Sequence, residues 1–126
     1  MSEHVNLGGL EIYRLAITIS NRAWTNYEKF DWQIKKIIGD QFITAIDSIG
    51  ANIAEGYGRF HFLDRIKFYY NSRGSLIEAK HWTFLLKTRN VIDAKEAEKL
   101  LADLENLHKI LNIYIKSCYE TKNNSR

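Results

Sequence analysis

Residues 48–60 read SIGANIAEGYGRF, with three glycines, two alanines, an asparagine and a glutamate in thirteen positions. Such a stretch is a loop that cradles a phosphate, a catalytic corner, or a helix thinned so that a neighbour can lie close. A Walker-type loop requires Gly-Lys-Ser/Thr after its glycines and a strand before them. Here Gly56-Tyr57-Gly58-Arg59 follows a segment of helical periodicity. The thin helix fits better. Gly50, Ala51 and Ala54 remove side-chain bulk, and Ser72-Arg73-Gly74-Ser75 downstream forms a second thin patch. The two patches fall at the same height if the chain turns near residues 59–60, so Gly50 is expected close to Gly74.

Working outward, the hydrophobic period is helical throughout. A first helix over about 10–27 repeats Ile12, Ala16, Ile19 and Ala23, with Leu15 beside them. A second, over 33–57, carries Ile38, Phe42, Ile46, Ile49 and Ile53, with Asp31 as its expected cap; Gly39 weakens its middle, and Gly56 and Gly58 supply the stop. A third, over 62–89, has two apolar lines. Ile66, Tyr70, Gly74, Ile77 and Phe84 form one; Phe68, Ser72, Ser75, Ala79, Trp82 and Leu86 form the other. A helix apolar on two sides is expected to be buried on two sides. A fourth, over 94–119, keeps an unbroken heptad seam of Ala97, Leu100, Leu104, Leu107, Leu111, Tyr114 and Cys118, before a polar tail, Glu120–Arg126, expected to fray. Four long helices with short connections predict an all-α, up-down-up-down four-helix bundle in one domain, 1–126.

Composition agrees. The chain has 126 residues, 45% of them hydrophobic, and no proline, which suits one core and long helices. A lone cysteine excludes an internal disulfide and suits the cytoplasm. The first residues, MSEHVNLGG, show no signal pattern, and no apolar run approaches the ~20 residues of a membrane span. A soluble, cytoplasmic protein is expected.

The net charge of +3 is unevenly spread. Residues 59–90 hold seven cations, Arg59, Arg65, Lys67, Arg73, Lys80, Lys87 and Arg89, against Asp64 and Glu78, a net of +5. Residues 91–110 have a net of −2. A basic helix beside an acidic one serves as an intramolecular match, a subunit interface or a nucleic-acid face. Its cations interleave with Phe68, Tyr69, Tyr70 and Trp82, a pattern that can grip phosphates and stack on unpaired bases. In the thin stretch, Ser48, Asn52 and Glu55 share one helical face. At matching height stand Arg65, Tyr69 and Arg73, so a polar lock is expected in which Glu55 and Asn52 bond an arginine of the third helix or of a neighbouring subunit.

Catalytic chemistry finds little footing. Glu78-Ala-Lys-His81 and Glu105-Asn-Leu-His108 have the Glu-x-x-His spacing of di-iron bundles. The remaining carboxylates do not follow. Glu55 lies ~18 Å along the axis from Glu78, and Glu11 and Glu28 sit at the ends of their helix. Cys118 ends a seam, ten residues from His108. No catalytic residue, metal or cofactor is expected.

Gln41, Ala45, Ser48-Ile49, Asn52-Ile53-Ala54-Glu55-Gly56 and, further on, Arg73-Gly74-Ser75-Leu76 with Glu78 resemble the bacterial four-helix-bundle proteins named after the 23S rRNA intervening sequence. The resemblance covers roughly residues 10–118. It implies short bundles assembled as homopentameric rings, similar to the accessory variability proteins of diversity-generating retroelements, which bind nucleic acid and a reverse transcriptase. Family members often carry a basic pair where this chain has Ile43-Thr44, and a proline in the first connection, where it has none. The expectation is a non-enzymatic, self-associating scaffold, by resemblance a pentamer, with RNA or a ribonucleoprotein as partner. A protein adaptor without nucleic acid is the alternative, and a metal-binding bundle comes third. Candidate nucleic-acid contacts are the seven cations named above. The structural motif is Ser48, Gly50, Asn52, Glu55, Gly56, Arg73, Gly74, Ser75 and Glu78.

Overall fold

The computed structural model describes residues 10–124. The opening segment MSEHVNLGG and the last two residues of the polar tail lie outside the described residues. Within them the chain is all-helical, a four-helix bundle. Helix α1 is Glu11–Glu28. Helix α2 runs without a break over 32–57, through an α-turn Trp32–Ile34, a π-helical segment Lys35–Gly39 and an α-helix Asp40–Tyr57. Helix α3 is Phe62–Thr88 and α4 is Ala94–Asn124. Consecutive helices pack antiparallel, and α4 closes the ring against α1.

The termini follow from local chemistry. Asp31 caps α2, its carboxylate accepting the Ile34 N–H at 2.8 Å. Gly58 ends α2 with a right-handed backbone, φ −77°, so its stop uses no left-handed turn. Asn90 alone among the described non-glycine residues has positive φ, 57°. Asparagine tolerates that region, and the Val91 N–H returns to the Leu86 carbonyl at 2.9 Å, closing α3. The fourth helix exceeds its expected length: Glu120–Asn124, expected to fray, continue α4.

In α1 the row Ile12, Ala16, Ile19 and Ala23 is buried, as is the α2 row from Ile38 to Ile53. The π-segment lets both happen. Asp40 N–H reaches back five residues to the Lys35 carbonyl, which turns Ile38 inward and leaves Ile37 outside. Gly39 permits it, because a Cβ there would stand 3.0 Å from the Phe30 ring. In α4, Ala97, Leu100, Leu104, Leu107 and Leu111 are fully buried, each leucine contributing ~1.5–3 kcal/mol. Past Leu111 the seam drifts. Ile115 becomes the buried residue, and Tyr114 and Cys118 are half-covered, as a 3.6-residue turn does against a 3.5-residue repeat.

Helix α3 departs from expectation. Its buried row is Ile66, Tyr69, Ser72, Leu76, Ala79, Thr83 and Leu86. Of the first predicted line only Ile66 is inside; Tyr70, Gly74, Ile77 and Phe84 face out. The two buried hydroxyls explain how polar residues hold a core seam. Ser72 donates to the Ile49 carbonyl of α2 at 2.9 Å, and Thr83 to the Ala79 carbonyl at 2.7 Å.

The thin stretch also works differently from the expected Gly50–Gly74 approach. Gly50 faces α1, where a Cβ would meet Ala16 at 3.6 Å and Ile17 at 3.8 Å. Nothing lies within 4 Å of a Cβ on Gly74. The close approach of α2 and α3 falls instead at Gly56, where a Cβ would stand 2.9 Å from the Tyr69 ring and 3.1 Å from the Phe68 Cβ. The two glycines therefore predict opposite outcomes. Gly50→Ala adds a methyl at ordinary contact distance in a helix interior and stabilises by ~0.5–1 kcal/mol. Gly56→Ala displaces a buried aromatic ring and destabilises by ~1–3 kcal/mol. Urea denaturation of both variants measures the difference.

Candidate nucleic-acid interface

The seven cations divide into three groups. Arg59, in the α2–α3 turn, lies over the Phe68 ring at 4.7 Å and donates to Glu55 at 2.9 Å. Arg65 donates to the Arg59 carbonyl at 2.7 Å and stands 6.0 Å from the Tyr57 ring and 5.7 Å from that of Phe62. Lys67 is exposed beside them. Arg73 sits over Tyr70 at 4.7 Å and donates to Asn112 of α4 at 2.9 Å. These four belong to the first half of α3 and the turn before it. Further along, Lys80 donates to Glu105 at 2.6 Å and contacts His108 Nδ1 at 3.1 Å, and Lys87 pairs with Glu98 at 3.4 Å. The acidic helix α4 thus neutralises the second half of α3 within the chain. Arg89 is exposed at the far end.

Of the aromatics read as stacking partners, Tyr69 is buried and burial pushes its phenol up to about 12, which removes it from the surface. The Trp82 indole donates to Glu78 at 3.0 Å. The aromatics that do meet arginines include Tyr57 and Phe62, on the two sides of the turn. Their only sequence signal is position, since each flanks the small-residue stretch and its arginine.

Within the chain the expected polar lock from α2 to α3 is not formed. Ser48 donates to the Thr44 carbonyl, and Asn52 to the Ser48 carbonyl, both within α2. Glu55 meets Arg59 one turn on rather than Arg65 or Arg73. An i, i+4 carboxylate and guanidinium are already neighbours on one helix, whereas crossing to α3 at this height would require room that Tyr69 and Phe68 fill. The α2–α3 bond is the one from Ser72. Ser75 is half-buried on α3, and Gly74 is open.

An ion pair that the sequence reading missed ties α1 to α4. Arg22 donates to Glu96 from Nε at 2.6 Å and from Nη2 at 3.3 Å, and Asn26 adds a bond at 3.1 Å. These bonds hold the Glu96 carboxyl below the usual range. The pair lines an open cleft of about 500 Å³ floored by Phe30, Val91 and Ile92. Glu96 in the first turn of α4 is the only hint the sequence offers. Elsewhere, burial, and then Lys80, depress His108, while burial raises the Cys118 thiol and so disfavours the reactive thiolate. Among the described residues no three His, Cys, Asp or Glu side chains are grouped to hold a metal. No helix of the described residues is long and apolar enough to cross a membrane.

Fold and surface together define a four-helix bundle with its cations gathered on α3 and the turn before it. Residues 9–113 match the profile of the 23S rRNA-intervening sequence proteins, and the chain belongs to that family. It is similar to a solved structure described as a protein of unknown function from the S23 ribosomal protein family of Bacteroides thetaiotaomicron VPI-5482. That similarity has a TM-score of 0.75 at 21% identity, over 83% of this chain and 98% of the other, and establishes the shared fold. Comparison with curated proteins gives no match.

Two ion pairs give contrasting predictions. The Glu55 side chain is 53% exposed in its pair with Arg59, so Glu55→Ala costs less than ~0.5 kcal/mol in urea denaturation. Glu96 is more enclosed and has three donated bonds, so Glu96→Gln costs about 1 kcal/mol at pH 7. Because its folded-state pKa is depressed, the Glu96 contribution is complete above the unfolded value of ~4.3 and is lost as pH falls through the folded value. Wild type and Glu96→Gln therefore begin to converge in stability below the unfolded value of ~4.3 and meet once pH has fallen through the folded one.

Proposed function

We propose that the chain is a non-catalytic, self-associating helical scaffold that engages RNA or a ribonucleoprotein in the cytoplasm. The observation that carries the RNA reading is the arginine–aromatic cluster at the α2–α3 end. Arg59 and Arg65 lie against Phe68, Tyr57 and Phe62, Lys67 stands free of a carboxylate among the described residues, and Phe60 is 87% exposed. Guanidinium groups held on ring faces are oriented in advance for phosphate oxygens, and an exposed ring offers a stacking surface to an unpaired base. The family's description, drawn from an intervening sequence of 23S rRNA, supports an RNA context.

Self-association is supported by large apolar side chains left outside: Ile17 and Trp24 on α1, Trp32 and Ile37 at the entry of α2. The resemblance favours a ring of five. Cyclic symmetry would repeat each modest cationic patch on one side of the ring, so individually weak phosphate contacts would add.

The protein-adaptor reading draws on a different observation. Lys80 and Lys87 are matched by Glu105 and Glu98 of the same chain, which leaves the second half of α3 with little charge to offer a nucleic acid.

Filter binding to a structured RNA with unpaired loops tests the RNA reading. Binding is expected at about 50 mM salt, where charge-driven affinity is strong, and is expected to weaken steadily as salt rises. Arg65→Gln combined with Lys67→Gln should lower affinity about tenfold and flatten the salt dependence by about 1–2 in slope. Absence of binding at that salt removes the RNA reading. A solution mass of one chain after nuclease treatment removes self-association.

A further inference from the structure

The bundle is open at the end that holds the α2–α3 turn. Helix α2 stops at Tyr57, and the α4 seam drifts past Leu111, which leaves Tyr114 and Cys118 half-covered. Between the end of α2, the start of α3 and the last turns of α4 lies a cleft of about 230 Å³. Its walls are largely aromatic, from Tyr57, Phe62, Tyr69 and Tyr114, and Arg65 and Cys118 line it as well.

Two groups in the cleft keep unused hydrogen-bonding capacity. Tyr69 is 3% exposed, and its ring packs on Gly56. Its hydroxyl bonds no group of the described residues and is not sealed in, so it opens into the cleft it lines. A phenol this deeply placed normally finds a partner, because burial without a hydrogen bond costs free energy. The second group is the Arg65 guanidinium, which stands 6.0 Å from the Tyr57 ring and 5.7 Å from the Phe62 ring. Its Nε is used on the Arg59 carbonyl at 2.7 Å. No carboxylate of the described residues pairs with it, so its Nη groups keep their N–H donors for an anion.

An occupant that satisfies both groups is a flat ring with a polar edge and an attached anion. The volume suits one such ring, since sites for drug-sized ligands run to ~300–1,000 Å³. No carboxylate lines the cleft, whereas Asp93 and Glu96 line the larger one at the other end of the bundle. A nucleobase with its adjoining phosphate has this chemistry. Unpaired bases are held by stacking on aromatic side chains and by hydrogen bonds to their edges. Lys67 and its neighbour in sequence Asp64 both stand outside the cleft. A strand gains a phosphate contact at Lys67 that a single nucleotide in the cleft does not.

Resting on the RNA reading above, we infer that this cleft seats one unpaired base of a bound RNA strand, with the Tyr69 hydroxyl on the base edge, the aromatic walls on its faces and Arg65 on its phosphate.

The probe is a fluorescently labelled single-stranded RNA of about six nucleotides, titrated by anisotropy against the full chain at low salt. An abasic strand of the same length keeps every phosphate and should bind at least about fivefold more weakly, because base stacking is lost. Tyr69→Phe should weaken binding of the normal strand about three- to tenfold, the loss of one hydrogen bond. It should not lower the melting temperature, since the hydroxyl bonds nothing in the free protein. Ser117→Trp, at an exposed position on the cleft wall, should fill the cleft and remove the difference between the two strands; circular dichroism checks that it stays folded. Cys118 is the chain's single cysteine, and the normal strand should slow its alkylation severalfold while the abasic strand leaves the rate unchanged. Equal binding of the two strands by wild type, full affinity in Tyr69→Phe, or an alkylation rate that RNA does not alter would each overturn the inference. So would a lower melting temperature of Tyr69→Phe, which would assign the hydroxyl to the fold. A mononucleotide that binds as tightly as the strand would also overturn it and assign the cleft to a free nucleotide. If structured RNA still binds with the salt dependence given above, those results leave the RNA reading standing; absence of all RNA binding removes both.

Discussion

The contact between α2 and α3 sets the rotation of α3, and almost every surface property of the molecule depends on that rotation. Gly56 lets the Tyr69 ring and the Phe68 Cβ lie against the α2 backbone, and one turn further along Ser72 donates into the Ile49 carbonyl. Two fixed points on one helix leave it no freedom to roll. With Tyr69, Ser72 and Leu76 held inward, Tyr70 and Ile77 must face out, and Arg73 must stand at the border with α4. A roll of α3 by one residue, ~100°, would turn Tyr70 and Ile77 inward and Leu76 and Ala79 outward. The steric close approach and the hydroxyl bond from Ser72 across to α2 thus decide which residues of α3 face outward.

Electrostatics then divides the helix lengthwise. Lys80 and Lys87 reach carboxylates of α4, while the first half of α3 faces the last turns of α4, where the charged residues at 109 and 116 are lysines. Near the α2–α3 turn Arg59 is paired with Glu55, whereas Arg65 finds rings and a carbonyl rather than a carboxylate. The charge of Arg65 and Lys67 stays uncompensated over a stretch where aromatic groups are also exposed. The surface pairs that neutralise the other half are each worth only ~0–1 kcal/mol, so their main effect is on the electrostatic field and not on stability.

The helices were legible in the sequence because each core row is regular. The rows of α1 and α2 alternate by three and four in aliphatic residues, and the α4 row is mostly leucine. The row of α3 was not, because two of its members, Ser72 and Thr83, are polar, and a third, Tyr69, resembles an exposed stacking residue. Ser72 does fall on one of the two apolar lines read from the sequence, but Tyr69 and Thr83 fall on neither, and Tyr70 and Ile77 are promoted in their place. Only pairing of the hydroxyls with backbone carbonyls, which hydropathy does not encode, reverses the choice. The polar lock failed for a related reason. Ser48, Asn52 and Glu55 do share a face, but each found a partner four residues away within the helix or just beyond its end, where no loop entropy is spent in reaching it. The cationic candidates were legible as residues and not as a group, since spacing along α3 gives no sign of which lysines α4 would neutralise.

Local rules and global fold agree over most of the chain, and the exceptions fall into two kinds. Gly39 breaks helical regularity and produces a π-turn, yet the Phe30 ring occupies the space its missing side chain leaves, so the fold itself accounts for it. Gly56 is accounted for in the same way by Tyr69. Gly74 has no such counterpart inside the chain. A sequence that specifies one structure tends to satisfy propensity, patterning and packing together, and departures without an internal counterpart concentrate where a molecule meets something else.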